Sequence, residues 1–378
     1  MQIYTRAQLS QIPWPDHDPG RPLLSALIAE GTQPFITNVS AEVAALATAG
    51  AVMPLVRVDA APAEPNAYVC SPTTHYIDYA QREVELELAE HPVLRRTIPP
   101  LLEGLRPLLR WSRVERIVYV NNWLLSTNLY PELSMAELTA IRQLLLATFP
   151  THAILFRSLN LGLNRAMIDR LEALGFERIF SRQVYLLDPG DGAFRRRNNY
   201  AHDRRLARRS PYRWRSAAEL TPAHAERLCA LYSDLYLHKY SRHNPQLTPY
   251  ALARALEERW FTISALTDGE QIDGLLGFIE QHGVLTAPLV GYDRKRSPAA
   301  GLYRLLMLEL IEQAAARGRI LHFSSGAASF KRLRGAEPHV EYSLVYHRHL
   351  PLRQRLPWRL LAWLSRAAII PLMERYGL

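Results

Sequence analysis

Midway along the chain, the run Asp188-Pro189-Gly190-Asp191-Gly192 gathers residues that end regular structure. Directly after it comes the most charged stretch of the sequence: between Phe194 and Ser216 there are nine Arg and one Asp. At about 100 to 200 residues per domain the 378-residue chain is expected to fold as two units, and the breaker before so basic a segment marks the joint. The expected division is residues 1–192 and 193–378, with 193–216 as a basic linker. The net charge of the whole protein is +9, so the remainder is close to neutral and the basicity is local. An arginine-dense surface admits two readings: a solvated linker paired with nearby acids, or a phosphate-binding face with Tyr200, Tyr212 and Trp214 available for stacking.

Composition narrows the class. At 48% hydrophobic residues, the chain has enough apolar side chains for a sizeable core, which excludes wholesale disorder. Cys70 and Cys229, the two cysteines, lack C-x-x-C spacing, so neither a disulfide scaffold nor the usual zinc site is expected, and no metal is assigned. Met1 to Arg6 lacks a signal-like apolar core, and no uncharged apolar run reaches the roughly 18 to 20 residues of a membrane span. A cytoplasmic location is expected.

The first half reads as a Pro- and Ala-rich loop over 60–72, a helix from Tyr76 to Ala89, a buried-type strand over Arg116–Asn121 and a helix over Ser134–Thr148. A strand at Ala153–Arg157, a helix at Asn164–Leu174 ended by Gly175, and a strand ending at Leu187 complete a β-α-β-α-β order. In the second half, helices are expected over Pro222–Leu237 and Pro249–Arg259, separated by a loop from His238 to Leu247. Strands are expected next at Phe261–Leu266, Leu275–Gln281 and Val284–Val290. A long helix over Ala300–Arg317 ends at Gly318, before a strand at Ile320–Phe323, a short helix near Ser329 and a last strand at Tyr342–His347.

Leu171-Glu-Ala-Leu-Gly-Phe-Glu-Arg178, running into Arg182-Gln-Val-Tyr-Leu-Leu187, resembles the last helix and strands of a GNAT acyltransferase domain. The second half is similar to the same fold. Its most specific stretch is Phe323-Ser-Ser-Gly-Ala-Ala-Ser-Phe-Lys-Arg-Leu-Arg-Gly335, which resembles the strand, small-residue turn and Phe-Lys element of the Fem family of aminoacyl-tRNA-dependent peptidyl transferases. The layout also resembles BioF2-like or CelD-like acetyltransferases. The resemblance covers residues 110 to 350 and implies an α/β (α+β) fold of two tandem GNAT-like domains, each a mixed, mostly antiparallel sheet flanked by helices. It implies transfer of an acyl or aminoacyl group to an amine, with Lys331 at the catalytic position. No permanently bound cofactor is implied; acyl-CoA or aminoacyl-tRNA is the co-substrate. The sequence departs from the family at Arg296-Ser-Pro-Ala-Ala-Gly-Leu302, where Ala299 replaces the first Gly of a regular pyrophosphate loop.

Acyl transfer needs a held carbonyl donor, stabilisation of the developing oxyanion and a path for the amine proton. The helix start after the third strand can offer N–H groups to phosphate, so Arg294, Arg296, Ala299, Ala300, Gly301 and Leu302 are the expected donor-binding residues. Tyr232, Tyr236 and Asn244, with Ser325 and Phe330, are expected to bind substrate, and His238 and Tyr240 to handle protons. Arg195, Arg196, Arg204, Arg205, Arg208 and Arg209 are the expected tRNA or anion contacts. In Tyr68–Tyr76, helix capping by Ser71 or Thr73 is expected, rather than catalysis by Cys70 with His75. The tail over 351–378 mixes Trp and Leu with Arg, and either packs on its own domain or lies on a membrane surface, with Pro371 interrupting the helix. The competing reading is a non-catalytic RNA-binding protein on a GNAT scaffold. The acceptor amine and the oligomeric state are left open by the sequence.

Overall fold

The computed structural model describes residues 1–62, 64–88 and 90–376. The expected helix end at Ala89, Ala63 of the 60–72 loop, and the last two residues of the tail lie outside the described residues. Twelve strands form one sheet: β1 Gln2–Tyr4, β2 Glu42–Ala47, β3 Val52–Val58, β4 Ile117–Val120, β5 Ala153–Asn160, β6 Glu177–Leu187, β7 Arg213–Arg215, β8 Thr262–Asp268, β9 Gln271–Gln281, β10 Val284–Tyr292, β11 Ile320–His322 and β12 Glu337–Tyr346. Their spatial order is β1-β2-β3-β4-β5-β12-β6-β11-β10-β9-β8-β7. Two pairs, β4/β5 and β10/β11, are parallel, and the others are antiparallel. The expected mixed, mostly antiparallel sheet flanked by helices is observed, but as one continuous sheet shared by both halves and not as one sheet per half.

β12 sits between β5 and β6, so a strand from the end of the chain completes the sheet of the first half. β5 is buried along its whole length, Arg157 included, with layers on both faces.

The helices of the first half are α1 Arg21–Glu30, α2 Ala80–Glu87, α3 Pro92–Ser112, α4 Met135–Thr148 and α5 Arg165–Ala173. Those of the second are α6 Asn198–Arg209, α7 Ala225–Ser233, α8 Pro249–Glu257, α9 Leu302–Arg317, α10 Ala328–Arg332, α11 Leu352–Leu364 and α12 Ile370–Tyr376. α4 starts where Ser134 caps it: the Ser134 Oγ accepts the Glu137 N–H at 3.2 Å, and a Glu137 carboxylate oxygen accepts the Ser134 N–H at 2.9 Å. Gly318, at φ +61, ends α9 in a left-handed conformation and donates to the carbonyls of Ala314 and Ala315.

Several expectations change. The helix expected from Tyr76 opens with a π-type turn, Thr74–Tyr79, and the strands expected from Leu275 and Tyr342 begin at Gln271 and Glu337. α3 lies in a stretch where no element is expected from the sequence; although Pro99, Pro100 and Pro107 lie inside it, its apolar residues Leu102, Leu105 and Leu109 pack on the core and hold the helix. The helix expected over 222–237 passes into a wider π-type turn, Asp234–Tyr240, so the loop expected from His238 starts only after Tyr240. The helix expected from Ala300 begins at Leu302, because Pro298–Ala300 form a 3-10 turn. Pro371 does not interrupt the tail: a π-type turn at Ser365–Ile369 precedes it, and the helical path continues through it into α12. The inner side of α11 packs on its own protein through buried Trp358, Leu361 and Ala362.

Candidate active site

The parallel pair β10/β11 is in register only over Val284, Leu285 and Thr286, while β10 continues to Tyr292 with an irregularity between Thr286 and Leu289. Beyond Thr286 the two strands part, and a cleft opens between them. Tyr303, Met307 and Leu310 of α9 form its floor, and the turn from Phe323 to Ala327 forms one lip. The first half supplies the opposite wall through Tyr68, Tyr79, Arg82, Ser126 and Arg182. Arg82 ties the walls together by donating to the carbonyls of Tyr240 at 2.7 Å and Lys239 at 3.1 Å.

Lys331 lies in this cleft wall and is 3% exposed. Its ammonium donates to the carbonyls of Ser324 at 3.2 Å and Ser325 at 2.7 Å and stands 5.3 Å from the Tyr185 ring centroid. Ser324 and Ala327 have φ of +58 and +51, uncommon for residues with a Cβ, and the lysine helps to hold that turn.

Of the other expected residues, Tyr236, Tyr240, Asn244 and Ser325 line the cleft. The Asn244 amide donates to the carbonyls of Tyr236 and Ser241, so it shapes the wall. Tyr232 lies behind Tyr236, stacked at 4.7 Å, with its hydroxyl donating to the Pro245 carbonyl. Phe330 packs against Tyr303 with Arg334 above its ring. His238 is exposed and does not line the cleft: the π-type turn carries its imidazole outward, 3.5 Å from Asp234. Ser71 caps the helical segment after it by accepting the Thr74 N–H at 3.1 Å. Burial pushes the Cys70 thiol up and holds the His75 imidazole well below its usual range, so that pair is not primed for nucleophilic work.

The expected phosphate cradle is partly occupied by its own chain. The N–H groups of Ala299, Ala300 and Gly301 already donate to Ser297 Oγ, the Ser297 carbonyl and the Pro298 carbonyl. Gly301 has φ +62, and a Cβ there would meet Leu206 of α6 at 2.5 Å. Arg296 pairs with Asp273 at 2.8 Å, Arg294 lies 3.4 Å from Asp234, and Leu302 is buried.

α6 is fastened down by its single acid: buried Asp203 accepts from Arg304 and Arg334, each at 2.6 Å. Arg195, Arg196, Arg204, Arg205, Arg208 and Arg209 are exposed, and among the described residues Arg204 alone of these comes near an acid, 4.0 Å from Glu312. Tyr200 and Tyr212 are buried, and their hydroxyls donate to Glu312 and Asp273. They are therefore not free to stack on bases.

Two features of the cleft lie outside the sequence expectations. Arg182 and Glu341, 2% and 0% exposed, form an ion pair at 2.8 Å. The guanidinium also donates to the Ser126 carbonyl, to Tyr68 Oη at 3.2 Å and to Ser325 Oγ at 3.3 Å. Charged residues within strand-like runs are the only signal, and at a separation of 159 residues nothing in the sequence pairs them.

The second is His322, 1% exposed, whose Nδ1 accepts the Ser324 N–H at 3.1 Å. That bond fixes the neutral ring as the Nε2–H tautomer, and this N–H has no partner among the described residues. Burial pushes the imidazole down from 6.5 to about 4. The unfolded chain therefore takes up this proton first on acidification. The stability gained by keeping His322 neutral erodes between about pH 6.5 and about pH 4 and is lost below that. Urea unfolding across that window is expected to show roughly 3 kcal/mol less acid sensitivity in His322→Gln than in the parent. Equal slopes would mean that the ring is not held neutral.

A mixed sheet with a parallel pair that parts over a cleft, followed by a long helix, is the arrangement of a GNAT-type acyl-transfer domain. Residues 193–332 match the family model described as an acetyltransferase (GNAT) domain. Among solved structures, FemX aligns with 96% of this chain and 100% of its own at a TM-score of 0.50 and 8% identity, which shows a shared fold along nearly the whole length. L-PGS from Bacillus licheniformis aligns at 14% identity and a TM-score of 0.42, covering 61% of this chain and 76% of its own. A GCN5-related N-acetyltransferase from Kribbella flavida aligns at 15% identity and a TM-score of 0.32, covering 61% and 81%. No curated protein matches the sequence.

Proposed function

We propose that this protein is an N-acyltransferase built of two GNAT-like halves, and that the cleft between them moves an acyl or aminoacyl group onto an amine. The observation that carries the reading is the opening of β10 from β11 onto a wall holding buried Lys331, faced by Tyr68, Tyr79 and Arg182 of the other half. The amine nitrogen forms its bond to the donor carbonyl, and the resulting oxyanion accepts hydrogen bonds from Lys331 and from the His322 Nε2–H. Collapse breaks the bond to the leaving group, a thiol of coenzyme A or a ribose hydroxyl of tRNA, which leaves with the proton lost by the amine. Tyr240, at the cleft edge, is placed to relay that proton.

Two observations favour aminoacyl-tRNA over an acyl-CoA as donor. Three N–H groups of the 299–301 turn are already in use, and α6 offers exposed arginines free of ion pairs among the described residues. Calorimetry against charged tRNA and against coenzyme A thioesters tests this. Arg205→Gln/Arg208→Gln/Arg209→Gln is expected to weaken tRNA binding and to make its log–log salt dependence shallower by about 2 to 3. Binding of coenzyme A thioesters alone would reverse the donor assignment, and binding of neither would end it. The same exposed arginines also support a non-catalytic RNA-binding protein, in which cleft substitutions leave RNA affinity intact.

A further inference from the structure

Among the described residues, eleven large hydrophobic side chains are exposed, and six of them lie on just two helices. Val93, Leu101 and Trp111 are on α3, and Leu352, Leu356 and Trp363 are on α11. The helices pack on each other, and Arg353 of α11 lies 5.4 Å from the Trp111 ring centroid, so the two stripes meet. At 3.6 residues per turn, Leu352, Leu356 and Trp363 fall within roughly 40° of one another, away from buried Trp358, Leu361 and Ala362. Val93 and Trp111, five turns apart, share a direction on α3 opposite Leu102 and Leu109. Each helix is thus apolar toward the core and apolar again toward solvent. Exposed apolar surface of this extent on one face marks an interaction site.

The flanking charge says what covers it. Arg96, Arg110, Arg353, Arg359 and Arg366 are exposed around the stripes, and among the described residues none has an acid within ion-pair distance. From Leu352 to Ile370 there is no Asp or Glu. A protein partner would need an acidic rim around an apolar centre, whereas an anionic lipid surface supplies both: headgroups for the guanidiniums and an acyl boundary for Trp and Leu. No described helix is long and apolar enough to cross a membrane, so the contact is peripheral.

We infer that the paired faces of α3 and α11 dock this protein on an anionic lipid bilayer, with Trp111 and Trp363 inserted at the headgroup level and the arginines paired to lipid phosphates. The inference is independent of the acyl-transfer reading, because its readout is vesicle binding and not turnover. The full chain is mixed with sedimentable vesicles of phosphatidylcholine alone or of phosphatidylcholine with phosphatidylglycerol. Co-sedimentation with the phosphatidylglycerol vesicles, falling with added salt, is expected. Arg359→Gln/Arg366→Gln should weaken it roughly 30-fold. Trp111→Ser/Trp363→Ser should weaken it at least about tenfold, with thermal unfolding unchanged because both side chains are exposed. Binding to neither vesicle, or equal binding to both, would overturn the inference. So would self-association that disappears in the Trp variant without any vesicle binding, which would make the face a contact between two copies.

Discussion

Replacing Lys331 by Ala is expected to lower kcat for acyl transfer by about 10² to 10³, the usual cost of removing one preorganised donor to a developing oxyanion. Loss of the ammonium also frees the carbonyls of Ser324 and Ser325 that it now holds, so the turn at the cleft lip loosens. Lys331→Arg keeps the charge and should recover part of the rate, while Lys331→Met should not. Near-UV circular dichroism checks that the fold persists. A variant that folds and turns over at the parental rate would remove Lys331 from the reacting centre. Unchanged tRNA affinity alongside lost turnover would separate binding from chemistry.

Glu341→Ala is expected to be the most destabilising single substitution in the cleft, by about 3 to 5 kcal/mol, because it leaves the Arg182 guanidinium buried without its counter-charge. The arginine is fixed on both halves through Ser126, Tyr68 and Ser325, so the unpaired cation cannot reach water without pulling the cleft wall apart. Arg182→Met/Glu341→Leu removes both charges and should recover most of the stability in urea unfolding. It should not recover activity, because the hydrogen bonds that place Tyr68 and Ser325 go with it. A double variant as unstable as Glu341→Ala would show that packing, and not charge, is what the pair supplies.

The parts of this fold that were legible are those whose cause is local. The helix expected over Ser134–Thr148 and the buried strand expected over Arg116–Asn121 appear as α4 and β4, and Gly318 marks the end of α9. The small-residue turn before Phe330-Lys331 was legible for the same reason, and it forms the cleft lip. What was hidden depends on distant partners or on core packing that outweighs local preference. α3 carries three prolines that argue against a helix, and only its buried leucines explain why it persists. The π-type turn at Asp234–Tyr240 rotates His238 out of the cleft, a change that no 3.6-residue pattern contains. Arg182, Glu341 and His322 acquire their meaning only when β6, β11 and β12 lie side by side.

The position of β12 also bears on how the protein is made. β5 and β6 are synthesised early, but the strand that joins them begins at Glu337, 150 residues after β6 ends at Leu187. At about 5 to 20 residues per second, a ribosome needs roughly 8 to 30 s to deliver it. Until β11 and β12 are made, the nascent chain lacks both partners of β6 and one of β5, leaving unpaired strand edges of the kind that chaperones and proteases inspect. Any message cut short before residue 337 yields a first half that cannot close. Products that stop before this strand are therefore expected to be cut by proteases faster than the full chain.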